Sequence, residues 1–496
     1  MNPPIVAHDD LGRISSILGR WPIGGVLLFN GVFAETGEAV SELQGVSRYP
    51  LLIAADMERG AGQQLRGATV FPHAMAFATR ADSETLVDAR EMGRITAREA
   101  LAAGVNFVLG PVADLNRNPR NPIIGARAFG KEPSSVAALV AAYIEGCRSE
   151  GVLVSPKHFP GHGNTDADSH TDVPNITGST DEFERFDLVP FRAAIEAGCD
   201  TIMTAHAAYP GLDPSGRVAT SSMVILDDVL RTSLRFLGAA VSDSLLMEGV
   251  RKPYAGTGEM AVDLVRSGLD LLLDVDDVEA AVNAISQAVA DGSLSRKRLE
   301  QAFDRSWSLK ERLAAEHGRE WPHALPPHPT EKQLASHLAV SRRIAERALA
   351  DFGRPFVVRP DSSTAFVIVK PYRTHLEPEF EPFGRMVTES FGAEAYNQVG
   401  DDTPDDILDE IVRRTGSNDQ LVVGAIVRPA AWRRFGLSDR LTRFVEKLLR
   451  SVDESLLLVL GAPDAVASIS HHKPMLATFS DVEASQAAAF DRIVRT

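Results

Sequence analysis

The sequence predicts an α/β protein in which a (β/α)8 barrel of the TIM type, its first strand short or missing, is followed by a smaller α/β layer domain. Three observations carry that expectation. Seven apolar runs of strand length alternate with helix-length amphipathic stretches through the first 275 residues. Each run is apolar nearly throughout, as parallel strands covered on both faces are. Polar and titratable residues gather directly after the runs, where a barrel places its chemistry.

In chain order the expected strands are 25–29 (GVLLF), 51–55 (LLIAA), 105–109, 152–155, 201–204, 239–242 and 269–273. Residues 3–6 are the candidate remnant of an eighth strand. A doubly wound open sheet is the alternative, but no G-x-G-x-x-G follows the first strands. After the last run, Asp277 can cap a helix in which Val278, Val282, Ile285 and Val289 recur at 4-3-4 spacing, with Gly292 to stop it. A charged helix over 295–316 closes the barrel half, and four prolines between Pro322 and Pro329 mark an extended linker. A helix over 333–350 leads into strands 365–369, 421–427, 456–460 and 475–479, with helices over 405–413 and 441–449. The expected domains are therefore 1–318 (barrel), 319–350 (linker and connecting helix) and 351–496 (smaller α/β domain).

Composition narrows the function classes. The chain of 496 residues exceeds what one compact core holds, and its 44% hydrophobic and 24% charged content argues against disorder. Its net charge of −16 disfavours nucleic-acid binding, which calls for a basic face. No apolar run reaches the roughly 20 residues of a membrane span. MNPPIVAHDD lacks the basic-then-apolar pattern of a signal peptide. Two cysteines, Cys147 and Cys199, cannot build a disulfide framework, so a reduced cytoplasmic setting is the simplest reading.

The richest segment is KHFPGHGNTDADSHTDVP, residues 157–174, immediately after an expected strand. So many titratable groups at a strand end point to a site rather than an ordinary polar loop. Within it, Asp168 and His170 are separated by one serine, and in an extended loop such residues point the same way. A carboxylate beside an imidazole orients the ring and raises its proton affinity, which suits acid–base work; a local turn capped by Asp168 is the plainer reading. Asp243 ends the strand 239–242, where a barrel presents a nucleophile, although an aspartate there can equally cap the next helix. Asp56 and Arg127 lie beyond the second and third strands and can each serve a ligand or half of an ion pair. His158, His162, His170, His206 and Asp243 together also resemble the inventory of a metal-dependent hydrolase barrel, yet no H-E-x-x-H occurs and Lys157 would oppose a cation.

Seven segments in order are familiar: IGGVLLFN, LLIAADMERGAG, GPVADLNRNPRNPIIGARAFG, VSPKHFPGHGNTDADSHTDVP, TIMTAHAAYPGLD, AVSDSLLMEGV and AVDLVRSGLDLLL. Across residues 20–315 the chain resembles glycoside hydrolase family 3, in particular its β-N-acetylglucosaminidase branch, which includes a bacterial enzyme of peptidoglycan recycling. The resemblance implies a retaining hydrolysis of terminal β-linked N-acetylglucosamine. Asp243 matches the nucleophile, His170 the acid/base histidine and Asp168 its partner, while Lys157, His158, Arg127 and Asp56 match residues that hold sugar hydroxyls. It implies no cofactor and no metal, and a carbohydrate partner such as a GlcNAc-containing saccharide or muropeptide. Phosphate can replace water as acceptor in such a site, so a β-glucosidase or a phosphorylase is the nearest alternative. The metal barrel and a non-catalytic sugar-binding protein come after it. One departure stands out: the arginine expected at Gln64 is missing, leaving Arg59 or Arg66 to substitute for it.

Overall fold

A computed structural model describes residues 8–79, 82–165, 173–318, 321–372, 381–427, 436–470 and 472–494. The chain divides into two compact units. The first is Met1–Val70, Asp82–Asn118 and Ala128–Val340; the second is Phe71–Ala81, Pro119–Arg127 and Ser341–Thr496.

In the first unit, strands β1 (Gly25–Leu27), β2 (Leu52–Ala55), β3 (Phe107–Val108) and β4 (Leu153–Val154) form a parallel sheet in chain order. Strands β5 (Thr201–Thr204) and β6 (Ala239–Ser242) pair in parallel. The two sheets join beyond β4, where Phe159 bridges Thr204 and exchanges backbone bonds of 2.8 Å with Met203 and Ala205. Each strand thus lies beside its successor with helices between, which is the connectivity of a β/α barrel. Leu52, Ala54, Phe107, Leu153, Met203, Ala239 and Val241 share one apolar cluster with Leu309 and Leu313 of the helix Arg296–His317. The helices Ser83–Ala102 and Pro133–Arg148 meet backbone to backbone: a Cβ on Gly146 would stand 2.0 Å from the Arg90 carbonyl.

Several expected strands are reduced, the runs 105–109 and 152–155 to Phe107–Val108 and Leu153–Val154. The run 25–29 forms a ladder over three residues, continued by the Leu28 amide on the Ala54 carbonyl. The run 269–273 makes a single parallel bridge, Leu271 to Val241. The cause lies in Asp270, whose carboxylate takes the Ala240 amide at 2.9 Å and so inserts a side chain into the ladder. Residues 3–6 lie outside the described residues. The caps are as the residues require: Asp277 accepts from the Ala280 amide, and Ser295 from Arg298.

The second unit is a six-stranded sheet with helices on both faces. Its strands are β7 (Ala350–Phe352), β8 (Thr364–Val369), β9 (Tyr396–Val399), β10 (Gln420–Val427), β11 (Glu454–Gly461) and β12 (Met475–Ala477). Their order is β9-β8-β10-β11-β12-β7, parallel except for the edge strand β7. Val367, Val423 and Leu457 face one core, and Phe366, Val422 and Leu458 the other. The period of two in buried strands explains this three-layer division. Sequence patterning missed β7, whose residues are largely exposed, and β9, whose YNQV is half polar. The strand expected over 475–479 stops early because Phe479 adopts φ 57°. No helix among the described residues is long and apolar enough to cross a membrane.

Candidate active site

The carboxyl ends of the first unit's strands gather a set of charged side chains. Asp56 follows β2, and the ammonium of Lys157, beyond β4, donates to its Oδ1 at 2.5 Å. The same Lys157 Nζ lies 2.7 Å from Glu58 Oε1, and the lysine is only 2% exposed. Such burial of an ammonium requires both carboxylates. Lys157 and Asp56 are therefore partners of each other, with 31% of the Asp56 side chain left open to solvent.

His158 is fixed by Asp114. Its Nδ1 lies 2.7 Å from Asp114 Oδ2, and its amide reaches the same carboxylate at 3.2 Å. An ionised carboxylate only accepts, so Nδ1 carries the proton. Nε2 then faces Asp243 Oδ2 at 3.8 Å. Asp114 also accepts the His162 amide at 2.7 Å. Burial alone would push the Asp114 carboxyl up, but the imidazoles of His158 and His162 hold it below its ordinary value. Close packing sets the path of this loop, since a Cβ on Gly163 would stand 1.6 Å from the Leu115 carbonyl. Burial and the neighbouring His158 push His162 down to about 4 against an ordinary 6.5.

Asp243 directly follows β6 with 23% of its side chain exposed. Its Oδ1 accepts the amide of Ser244 at 2.7 Å. Burial would raise this carboxyl, but His158, His206, Lys157 and the Ser244 amide together hold it below its ordinary value. An aspartate kept ionised at a strand end, with one oxygen bonded and the other facing an imidazole, is equipped for attack on an electrophilic carbon. His206 is buried and bonds the Ser244 carbonyl through Nε2 at 3.0 Å and the Thr220 hydroxyl through Nδ1 at 2.7 Å. Among the described residues no three His, Cys, Asp or Glu side chains are arranged to hold a metal ion. The ring nitrogens of His206 are committed to Ser244 and Thr220, and Nδ1 of His158 to Asp114.

Of the residues expected from sequence, Asp56, Lys157, His158 and Asp243 thus belong to the first unit and interact as described. Asp168 and His170 lie outside the described residues. Arg127 belongs to the second unit, on the turn Gly125–Arg127, where its Nη1 donates to the Ile123 carbonyl at 3.1 Å. Gln64, at the departure from the family pattern, accepts the Asn30 amide at 3.3 Å. Sequence reasoning missed Glu58, Asp114, Ser244 and Asp274. For Asp114 the available signal was a carboxylate directly after an apolar strand, in the segment GPVADLN.

Fold and site together define the class of β/α-barrel proteins that carry an aspartate directly after the sixth described strand. The sequence model described as the glycosyl hydrolase family 3 N terminal domain matches residues 12–309, and the chain belongs to that family. A beta-N-acetylglucosaminidase/beta-glucosidase from Cellulomonas fimi is 32% identical over 309 residues, 60% of this chain and 54% of its own length. A beta-hexosaminidase from Thiobacillus denitrificans is 34% identical over 350 residues, 69% of this chain and 89% of its own. The chain spans just over half the length of the first curated relatives it matches. Among solved structures, a family 3 beta-N-acetylglucosaminidase from a Paenibacillus species superposes with a TM-score of 0.86 at 27% identity, covering 99% of this chain and 93% of that one.

Proposed function

We propose that the protein is a retaining exo-glycosidase that removes terminal β-linked N-acetylglucosamine. The observation that carries this reading is Asp243, ionised at a strand end, its Oδ1 held by the Ser244 amide and its Oδ2 facing His158 at 3.8 Å. In the first step Asp243 attacks the anomeric carbon, the bond to the aglycone oxygen breaks, and the acid protonates that oxygen. Water, deprotonated by the same group, then releases the sugar. We assign that acid/base to His170, oriented by Asp168, on the strength of the DSH segment. Asp56, Lys157 and His158 are assigned to the hydroxyls of the terminal sugar, to which they offer charged donors and acceptors. The similarity to proteins named beta-N-acetylglucosaminidase and beta-hexosaminidase supports N-acetylglucosamine as the sugar, and muropeptide-like fragments are assigned as the natural class from the family resemblance of the sequence alone. Two free, buried cysteines suit a reducing cytoplasm.

The test compares nitrophenol release from the β-N-acetylglucosaminide and the β-glucoside, with and without EDTA and phosphate. Release from the first, unaffected by EDTA, with the β-anomer as first product by NMR, is expected. A fluorinated substrate should leave an ester on Asp243, detected by mass spectrometry. The α-anomer as first product, or a label on another residue, overturns the mechanism. Sugar phosphate as the main product would make the protein a phosphorylase, and loss of activity in EDTA would return the metal barrel.

A further inference from the structure

Asp274 follows Leu273 at the carboxyl end of the last strand segment of the first unit, in a backbone conformation of φ 60°. That left-handed region suits glycine and, among other residues, aspartate and asparagine. Its Oδ2 accepts the hydroxyl of Ser244 at 2.6 Å. Ser244 is also fixed at its carbonyl by His206 Nε2 at 3.0 Å, and its amide donates to Asp243 Oδ1 at 2.7 Å. A carbonyl cannot donate, so His206 bears its proton on Nε2. Its Nδ1 lies 2.7 Å from the Thr220 hydroxyl. Two neighbours therefore hold Ser244 while its amide points at Asp243. The segments are tied as well, by the Leu245 amide on the Leu273 carbonyl and the Leu273 amide on Ser242 Oγ.

We propose that Asp274 is a positioning residue for Asp243. Through the Ser244 hydroxyl it keeps the Ser244 amide on Oδ1, which leaves Oδ2 as the attacking oxygen, and its own carboxylate adds negative charge toward the cationic sugar of the transition state. The inference rests on the reading that Asp243 is the nucleophile. Asp274 exchanges no atom: the new bond is Asp243 Oδ2 to the anomeric carbon, and the broken bond is the one to the aglycone oxygen. Burial, then Asp243, Asp56 and Asp276, push the Asp274 carboxyl up against the opposing Ser244 hydrogen bond. Asp276 itself is paired with Arg251 at 2.6 Å, and Lys157 and His158 act from the Asp243 side. With falling pH, Asp274 loses its charge before an ordinary aspartate does.

Asp274→Asn keeps a backbone-compatible residue and an acceptor for Ser244 while removing the charge; Ser244→Ala keeps the charge and removes the link. Each is expected to lower kcat on the nitrophenyl N-acetylglucosaminide about tenfold with little change in KM. In Asp274→Asn the acid limb of kcat/KM should move to lower pH. By calorimetry, which needs no turnover, that variant should bind a cationic iminosugar about tenfold more weakly and free N-acetylglucosamine as before. Equal loss of affinity for cation and neutral sugar, or none for either, overturns the proposal. A label trapped on Asp243 alongside unaltered Asp274→Asn kinetics overturns this inference alone. A wild-type protein that traps no label on Asp243 overturns the reading beneath it.

Discussion

The two ends of the barrel strands carry the same residue type and treat it in opposite ways. At the amino ends, the Asp270 side chain is fully buried and receives Arg231 at 2.7 Å, Arg298 at 2.9 Å and Arg305 at 3.1 Å. Asp200 receives Arg148 and Arg312, with the Val154 amide as a further donor. At the carboxyl ends, Asp56 and Glu58 share Lys157, Asp114 holds His158, Asp274 holds a hydroxyl, and Asp243 is met by an amide and a histidine at 3.8 Å. Among the described residues, five guanidiniums thus pair with two carboxylates at one end, while the five carboxylates at the other meet an ammonium, imidazoles, an amide and a hydroxyl. The amino end ties helices to strands. The carboxyl end instead groups acceptors around Asp243, an arrangement that suits the proposed positive charge on a reacting sugar.

Substitution at each end tests that difference. Asp243→Ala should lower kcat by about 10⁴-fold or more with little change in the denaturation midpoint. Partial recovery by added azide, giving a sugar azide of inverted configuration, would confirm that the lost group was the nucleophile. Asp270→Asn should do the reverse, because three arginines would lose their buried counter-charge. A loss of about 3–5 kcal/mol in urea unfolding is expected, with kcat of the folded fraction unchanged. A stable Asp270→Asn protein with impaired turnover would erase the distinction between the ends.

Asp114→Asn probes the middle ground, a buried carboxylate that belongs to the site yet touches no solvent. Amide nitrogen against His158 Nδ1 would force the ring to change tautomer or turn. A loss of about 10²-fold in kcat/KM is expected from a displaced side chain, with about 1–3 kcal/mol of stability. Loss of stability alone would place Asp114 with the amino-end carboxylates.

Much of this was legible in the sequence because apolar runs and strand ends are local. Strands β5 and β6 and the helix after Asp277 follow from composition and caps alone, and Asp243 and Lys157 are marked by their place after a strand. What the sequence did not disclose depends on long-range pairing. Nothing near Asp270 announces Arg298 or Arg305, about one barrel helix away, and nothing near Ser244 announces Asp274, 30 positions on. The shortened ladder at 269–273 was illegible for the same reason: the apolar run is real, but a carboxylate inside it captures the amide of its neighbour. The excursions Phe71–Ala81 and Pro119–Arg127, which belong to the second unit, look locally like barrel loops.

The smallest expected effect concerns two neighbours of Asp114 that titrate in opposite senses. Burial raises Asp187 to about 6 from an ordinary 3.8, despite Arg117 at 2.6 Å. Between those values the native protein binds more protons than the unfolded chain, so this group's contribution falls as pH rises from about 4 to about 6. His162 is held at about 4 against 6.5, so the unfolded chain binds more protons there and its contribution falls as pH drops from about 6.5 to about 4. Over the shared window the two slopes oppose each other, and the wild-type protein sees their difference. Asp187→Asn should therefore leave stability rising with pH, and His162→Gln should leave it falling, each by about 1–3 kcal/mol between pH 4 and 6. Urea denaturation at three pH values reads both slopes. Parallel slopes in the two variants would mean that these groups do not titrate against one another, and that the pH response of stability belongs to other carboxylates such as Asp243 and Asp274, whose own pKa values are displaced in opposite directions.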